Sequence, residues 1–193
     1  MKKTNPQTKR ARNSRTRSRA QDIRGGDSNL MPKRISDSQQ RLAVMMNPEQ
    51  ANSLGDVHGG EIMKLVDEAG ALTAMKHARH IVVTVAMDSM EFLSPVHVGD
   101  LVSLNASVNY IGRTSMEIGI RVEAENVITG QVTHTNSAYA VYVALDASGR
   151  PVPVPPVILE TEQDRRRWEE GAARQQHRLA LASKKNMDNK KTR

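Results

Sequence analysis

The sequence predicts an α+β domain in which one antiparallel sheet of five or six strands wraps around a single long central helix. Two observations predict this fold. A helical period, with apolar side chains recurring every three or four positions, extends over about residues 58–80. One strand-like stretch precedes this helix and four follow it, and turn residues separate the last three. The order strand, helix and four strands indicates an antiparallel meander around the helix.

The first strand is predicted over residues 38–47 and ends at Pro48, and a loop over 48–57 leads into the helix. On a helical projection the apolar side chains of 58–80 fill one arc of about 160°. Asp67 lies at the border of this arc. The small residues at 69–71 should let another part of the chain pack unusually close to the middle of the helix.

Four strands are then expected. The first is the mixed run Ile81–Phe92, and the second and third alternate in polarity over 102–110 and 116–123 on either side of a turn at Gly112-Arg113. The fourth covers 131–145. A proline-rich extended exit at 151–156 leads to a charged helix over about 160–181, whose Trp168 should anchor it on the domain or on a neighbouring subunit.

Charge divides the 193 residues into a domain and two basic ends. Residues 1–36 hold eleven Lys or Arg and two acidic residues, whereas 37–158 hold seven and thirteen. Segment 1–36 is too polar to bury a core, so it is predicted to be a disordered basic tail. The domain is placed at 37–158, the charged helix at 159–183 and a basic disordered end at 184–193. The net charge of +7 therefore resides in the ends and does not indicate a nucleic-acid-binding domain.

Composition excludes several classes of site. Without cysteine there is no thiolate nucleophile, disulfide or cysteine-bound metal. No Gly-x-Ser-x-Gly, P-loop or dinucleotide pattern occurs. No apolar run approaches the roughly 20 residues of a membrane span, and no secretory signal is visible, so we expect a cytoplasmic protein.

The segment from Asn52 to Asp67 carries the predicted chemistry. Gly59 and Gly60 lie at the start of the helix, where backbone N–H groups have no helical partner and can polarise a carbonyl oxygen. Glycine lets a substrate approach that backbone closely. Asp67, two turns further on, can activate water or attack directly. These groups are those needed to hydrolyse an acyl bond without a catalytic serine or cysteine.

These residues and several later motifs resemble the hotdog-fold acyl-CoA thioesterases, in particular bacterial short acyl-CoA thioesterases and the brain-type cytosolic acyl-CoA hydrolase. The resemblance covers roughly residues 38–180. The matching motifs are Asn52, Gly55-Asp-Val-His-Gly-Gly60, Ile62-Met, Val66-Asp-Glu-Ala-Gly70, Phe92-Leu-Ser-Pro-Val-His-Val-Gly-Asp100, Gly112-Arg-Thr-Ser-Met-Glu117 and Pro153-Val-Pro-Pro156.

The resemblance implies a hotdog fold that hydrolyses acyl-CoA at a site formed between two subunits. Asn52 of one protomer would then meet Asp67 of its partner, because the chain has room for only one hotdog domain. Asn52 would orient the water or the carbonyl, and Asp67 would act as general base or as nucleophile. A homodimer, assembled as a trimer of dimers, is implied, with acyl-CoA as substrate and no separate cofactor.

The remaining site residues are expected to bind substrate. His58, Gly59 and Gly60 should surround the thioester carbonyl, with His58 capping or packing at the helix entrance. Arg113, with Thr114 and Ser115, is the best candidate for the phosphates of CoA, although a solvent-exposed turn arginine fits its position equally well. No metal site is predicted.

Two other functions remain open on the sequence alone. A hotdog dehydratase would use His58 as its base. A non-catalytic CoA-ester-binding protein would use the basic tail to attract anions, but the tail has no aromatic residues for base stacking, so no specific nucleic-acid binding is expected.

Overall fold

The computed structural model describes residues 21–191, and the side chains of residues 21–184. Two helices and eight strands make up this part of the chain, together with two short 3-10 turns. In chain order they are β1 (Asp22–Arg24), β2 (Lys33–Arg34), β3 (Gln40–Met45), α1 (Gly59–Ala78), β4 (Ile81–Phe92), β5 (Asp100–Ile111), β6 (Ser115–Asn126), β7 (Gln131–Leu145), β8 (Val157–Leu159) and α2 (Glu162–Lys191).

The main sheet has five antiparallel strands in the order β3-β5-β6-β7-β4 and curves around α1. Its inner face and the apolar arc of α1 form the core, in which Val66 and Ala69 are fully buried. Alternation along β5 and β6 directs apolar side chains inward and polar ones outward. The predicted sheet around one central helix is confirmed.

The small residues of α1 do admit a close neighbour. The ring of Tyr142, from β7, crosses the helix at Gly70 and is fully buried. A Cβ atom added to Gly70 would lie 2.2 Å from the Tyr142 hydroxyl oxygen and 2.8 Å from Cζ. Only glycine therefore leaves room for this ring.

Helix α2 covers the outer face of the sheet, and its Trp168 packs on the domain. The rings of Trp168 and Tyr110 lie 4.6 Å apart between centroids. Glu117, only 1% exposed on β6, accepts hydrogen bonds from Arg174 (2.6 Å) and Arg178 (3.1 Å). Arg178 also pairs with Asp88 of β4, so these two guanidinium groups link α2 to carboxylates on two strands and hold it across the sheet.

Residues 1–36 were predicted to be a disordered tail. Residues 21–36 are ordered, so the prediction is wrong for them, and residues 1–20 lie outside the described part of the chain. β1 and β2 flank β8 in a separate three-stranded sheet. The Asp27 N–H donates to the Val154 carbonyl (2.9 Å), and Ile35 is buried. This polar segment is ordered by backbone pairing with a strand more than 120 residues away. Such pairing cannot be predicted from the composition of the segment itself.

The boundaries of other elements also differ from the prediction. β3 is shorter than the predicted strand 38–47, and β8 lies just after the proline-rich exit, where no strand was expected. The backbone of α2 continues to Lys191, so the predicted disorder over 184–193 is wrong as far as residue 191. Within residues 21–191, no helix combines the length and the apolarity needed to cross a bilayer.

Candidate active site

The loop before α1 is shaped by the side chain of Asn52. Its Oδ1 accepts the N–H groups of Leu54 (2.8 Å) and Asp56 (3.3 Å), and its own N–H donates to the Asp56 carbonyl (2.7 Å). Asparagine commonly closes turns in this way. The side-chain oxygen is thus committed to the turn, and the amide nitrogen is the part of Asn52 left to act as a donor.

His58 caps the first turn of α1. Its Nδ1 accepts the Gly60 N–H (3.1 Å), and its carbonyl accepts the Glu61 N–H (2.9 Å). The Gly59 N–H has no hydrogen-bond partner among the described residues. Of the two glycines expected to polarise a carbonyl, Gly59 therefore has its N–H free, whereas that of Gly60 is already occupied.

Asp67 projects from the third turn of α1 toward β4 and β7. Its Oδ1 accepts the hydroxyl of Thr84 (2.7 Å) and lies 3.3 Å from the hydroxyl of Tyr142, which also reaches the Asp67 backbone carbonyl (3.2 Å). Oδ2 accepts no hydrogen bond from the side chains that the structure describes. The carboxylate is half-buried, held at one oxygen and free at the other.

Tyr142 donates its hydroxyl proton to Asp67. Burial, and then the nearby charge of Asp67, raise the pKa of Tyr142 far above its usual range. The phenol stays protonated at any physiological pH and keeps its proton directed at the aspartate.

Thr84 and Tyr142, which contact the Asp67 carboxylate, were not predicted from the sequence. Thr84 is the one polar side chain in the run Ile81–Met87, which is a weak signal for a special role. Tyr142 had no signal of its own. The small size of Gly70 indicated that something packs there, without saying what.

A cleft of about 310 Å³ opens beside the start of α1. It lies between the Asn52 loop and residues 92–96, which begin at the last residue of β4. Asn52, Gly59 and the exposed ring of Phe92 line it, and a Cβ on Gly59 would lie 3.4 Å from that ring. The absence of a side chain on Gly59 keeps its free N–H accessible from this cleft.

Within one protomer, Arg113, Thr114 and Ser115 do not reach this cleft. The cleft lies near the start of β5, because the Val57 N–H donates to the Val96 carbonyl (2.8 Å) just before that strand. The turn that contains Arg113 lies at the other end of β5, roughly 35 Å away at 3.3 Å per residue. The Arg113 side chain is exposed there. Among the side chains of residues 21–184, no three from His, Cys, Asp or Glu cluster as a metal site would require.

Comparison with known proteins identifies the family. Residues 54–131, from the Asn52 loop through α1 to the start of β7, match the model of the thioesterase superfamily. A Bacillus subtilis protein that bears the name uncharacterized acyl-CoA thioester hydrolase is 35% identical over 143 residues, which are 70% of this chain and 83% of that protein. The chain belongs to the thioesterase superfamily.

Solved structures share the fold of this thioesterase. A hexameric acyl-CoA thioesterase is 39% identical, with a TM-score of 0.76 over 79% of this chain and 98% of its own. An acyl-CoA hydrolase from Staphylococcus aureus, solved with butyryl-CoA and CoA, is 32% identical, with a TM-score of 0.74 over 81% and 96%. Variants of that hydrolase with a single aspartate, threonine or asparagine replaced by alanine have also been solved.

Proposed function

We propose that this thioesterase hydrolyses acyl-CoA to a carboxylic acid and CoA at a site that two subunits share. Relatives that carry acyl-CoA thioester hydrolase and thioesterase names support the reaction and the substrate class. The observation that carries the assignment of the site is the position of Asp67. Its carboxylate is held by Thr84 and Tyr142 at one oxygen and is free at the other.

Residue spacing supports the choice of side chains. In the S. aureus hydrolase, the asparagine and the aspartate chosen for replacement are 15 residues apart, and the aspartate and the threonine 17. Asn52, Asp67 and Thr84 have the same two separations in this chain. We therefore assign Asn52 and Asp67 to catalysis and add Thr84 as the residue that positions the carboxylate.

In the proposed reaction, Asp67 uses its free Oδ2. As general base, it takes a proton from water while the water oxygen bonds to the thioester carbonyl carbon. The C–S bond then breaks, and the CoA sulfur receives the proton. As nucleophile, the same oxygen would bond to the carbonyl carbon and the C–S bond would break, so that CoA leaves as thiolate and a mixed anhydride forms; water then cleaves the anhydride to the carboxylic acid and Asp67 and supplies the proton of the CoA thiol. Thr84 and Tyr142 have the same part in either route, which is to hold Oδ1 and so aim Oδ2.

Charge on the carbonyl oxygen needs donors that are already in place. The Gly59 N–H is one, since it is free and accessible from the cleft. The amide nitrogen of Asn52 is the other, since its oxygen is committed to the turn. Losing a single donor of this kind costs roughly 10²–10³ in rate in studied acyl-transfer enzymes.

The free edge of β4 is where we place the partner subunit. β4 ends the five-stranded sheet, and Ile81, Val83 and Val85 along it are exposed apolar side chains. An unpaired apolar edge favours pairing with a second copy. Thr84 lies on this strand, so Asp67 is near the proposed interface. The hexamers among the solved neighbours support an oligomer, and a trimer of dimers is our specific proposal.

A subunit-mixing experiment tests the shared site. Asn52→Ala and Asp67→Asn proteins should each release almost no thiol from acyl-CoA. When they are unfolded together and refolded as an equal mixture, about a quarter of wild-type activity should return. That fraction is the random chance that a site draws its intact asparagine from one variant and its intact aspartate from the other.

The mixing experiment also separates the alternatives. If mixed oligomers form, as native mass spectrometry would show, and no activity returns, the two residues do not meet across subunits. If the wild-type protein consumes acyl-CoA without releasing thiol, hydrolysis itself is wrong, and a dehydratase that uses His58 becomes the better hypothesis.

A further inference from the structure

We propose that the outer face of the sheet carries a second site, which binds a small phosphorylated anion beneath α2. A cavity of about 160 Å³ lies there, between the first half of α2 and the outward-facing side chains of β5, β6 and β7. Asp67 points from α1, which occupies the opposite, inner face of the sheet. The second site is therefore separate from the hydrolytic site within each protomer.

Polar groups line this cavity even though a helix covers it. Asn105, Ser107 and Asn109 face it from β5, and Ser137 and Tyr139 from β7. A helix normally packs on a sheet through apolar side chains, because buried polar groups are costly when they have no partner. A polar cavity at such an interface indicates a polar occupant.

Asn109 gives the sharpest sign of a ligand. It is the extra residue of a β-bulge between Val108 and Tyr110, it is only 3% exposed, and it lines the cavity. Its amide makes no hydrogen bond to any residue that the structure describes. Gly119 makes room for it, since a Cβ there would lie 2.5 Å from the Asn109 amide nitrogen. A bulge that aims a buried amide into a cavity is typical of binding sites.

Two arginines supply unbalanced positive charge. Arg167 of α2 reaches only the Ser107 hydroxyl (3.3 Å), and Arg41 of β3 only the Ser103 hydroxyl (3.3 Å). Neither has a carboxylate partner among residues 21–184. Both line a groove of about 580 Å³ that shares Asn105 and Ser107 with the cavity and continues from it.

Two further arginines add little net positive charge to the site, because carboxylates already neutralise them. Arg121 pairs with Glu123 (2.8 Å) and Arg166 with Glu170 (2.9 Å). With these pairs balanced, Arg41 and Arg167 set the positive charge of the groove.

This set of donors fits a phosphoryl group. Guanidinium groups bind phosphate oxygens in a bidentate manner, and amide and hydroxyl donors complete the coordination. The cavity has room for one such group, and the adjoining groove for a second group attached to it. The expected ligand is a phosphate monoester or a diphosphate.

Isothermal titration of the full chain with inorganic pyrophosphate at low ionic strength tests the site. The wild-type protein should bind, and Arg167→Gln should weaken binding about tenfold or more, as expected for a lost charge-assisted hydrogen bond. Asn109→Ala should weaken it about fivefold without changing the charge. Arg150→Gln is the matched control, since Arg150 is an exposed arginine remote from the groove, and should leave binding unchanged.

Two results would overturn the proposal. One is the absence of pyrophosphate binding to the wild-type protein. The other is equal binding to the wild-type protein and to an Arg41→Gln/Arg167→Gln double variant whose melting temperature shows that it is folded. At saturating acyl-CoA and without pyrophosphate, kcat for thiol release should be the same in the double variant as in the wild type, because neither arginine touches the reacting thioester.

A competition arm identifies the source of the phosphate. Desulfo-CoA, which cannot form a thioester, is added at saturation before pyrophosphate. If desulfo-CoA abolishes pyrophosphate binding to the wild-type protein, and itself binds the double variant more weakly than the wild type, the groove takes the phosphates of CoA. If pyrophosphate still binds with unchanged affinity, the groove serves a separate phosphorylated anion.

Discussion

Replacing Gly70 with alanine should lower both stability and turnover through a single contact. The new Cβ would lie 2.2 Å from the Tyr142 hydroxyl oxygen, whereas an ordinary van der Waals contact is 3.4–4 Å. The ring must therefore move by about 1 Å or α1 must shift, and both are fully packed at this point. The same hydroxyl lies 3.3 Å from Asp67 Oδ1, already a long hydrogen bond, so the shift would break it.

The two opposing effects on stability can be compared. Alanine is about 1 kcal/mol more favourable than glycine inside a helix. Overpacking a full core costs about 1–3 kcal/mol, and a 2.2 Å approach to a ring wedged against a helix belongs at the upper end. The net loss should be about 2 kcal/mol, which corresponds to a fall in Tm of about 4–8 °C for a chain of this size.

Thermal unfolding and steady-state thiol release are the assays. We expect kcat to fall about tenfold, the loss for one hydrogen bond to a charged group. Tyr142→Phe should lower kcat to the same extent, and the double variant should lose little more activity than either single one. Gly60→Ala is the control for stability. Its Cβ would meet only the exposed His58 side chain, at 3.3 Å, so Tm should not fall.

A Gly70→Ala protein with wild-type Tm and kcat would refute this reasoning. So would additive losses of activity in the Gly70→Ala/Tyr142→Phe double variant, because the two changes would then act through different contacts. A lowered Tm with unchanged kcat would support the steric clash with Tyr142 and contradict a role of Tyr142 in the active site.

Three further predictions follow from the same site and core. Asp67→Asn should abolish turnover with the oligomer intact, and a rate near wild type would rule out its catalytic role. Arg113→Glu should raise KM for CoA esters more than it lowers kcat, and an unchanged KM would exclude a contact with the phosphates. Burial lowers the pKa of His77, so protonation favours the unfolded state, and Tm should fall as pH drops below about 6.5. That fall should be smaller in His77→Gln but unchanged in the control His80→Gln, where the side chain is exposed.

Periodicity predicted α1 and the meander well because it reports which side of each element is apolar. The period of 3.6 over α1 and the alternation along β5 and β6 are properties of consecutive residues, and they survive in the folded chain. Asn52 and Asp67 were proposed as site residues in the same way, from residue type and position around the start of a helix, and their roles stay a prediction. The small side chains at 69–71 also predicted a close neighbour correctly.

Contacts between distant parts of the chain could not be predicted from such patterns. Asp67 meets Thr84 across 17 residues and Tyr142 across 75, and Glu117 meets Arg174 across 57. Thr84 and Tyr142 could be assigned to the candidate site only from the folded structure, in which these residues, distant in sequence, are in contact. The ordering of residues 21–36 follows the same rule, since their partner is β8.

The sequence by itself determined the elements, the apolar face of each and the residue types at the helix entrance, because these depend on near neighbours along the chain. The tertiary structure alone decided which donors hold the Asp67 carboxylate, which N–H at the helix start is free, and where the buried amide of Asn109 points. Those outcomes depend on strand register, on one bulge and on the room left by Gly70 and Gly119, which are set by the packing of the whole domain.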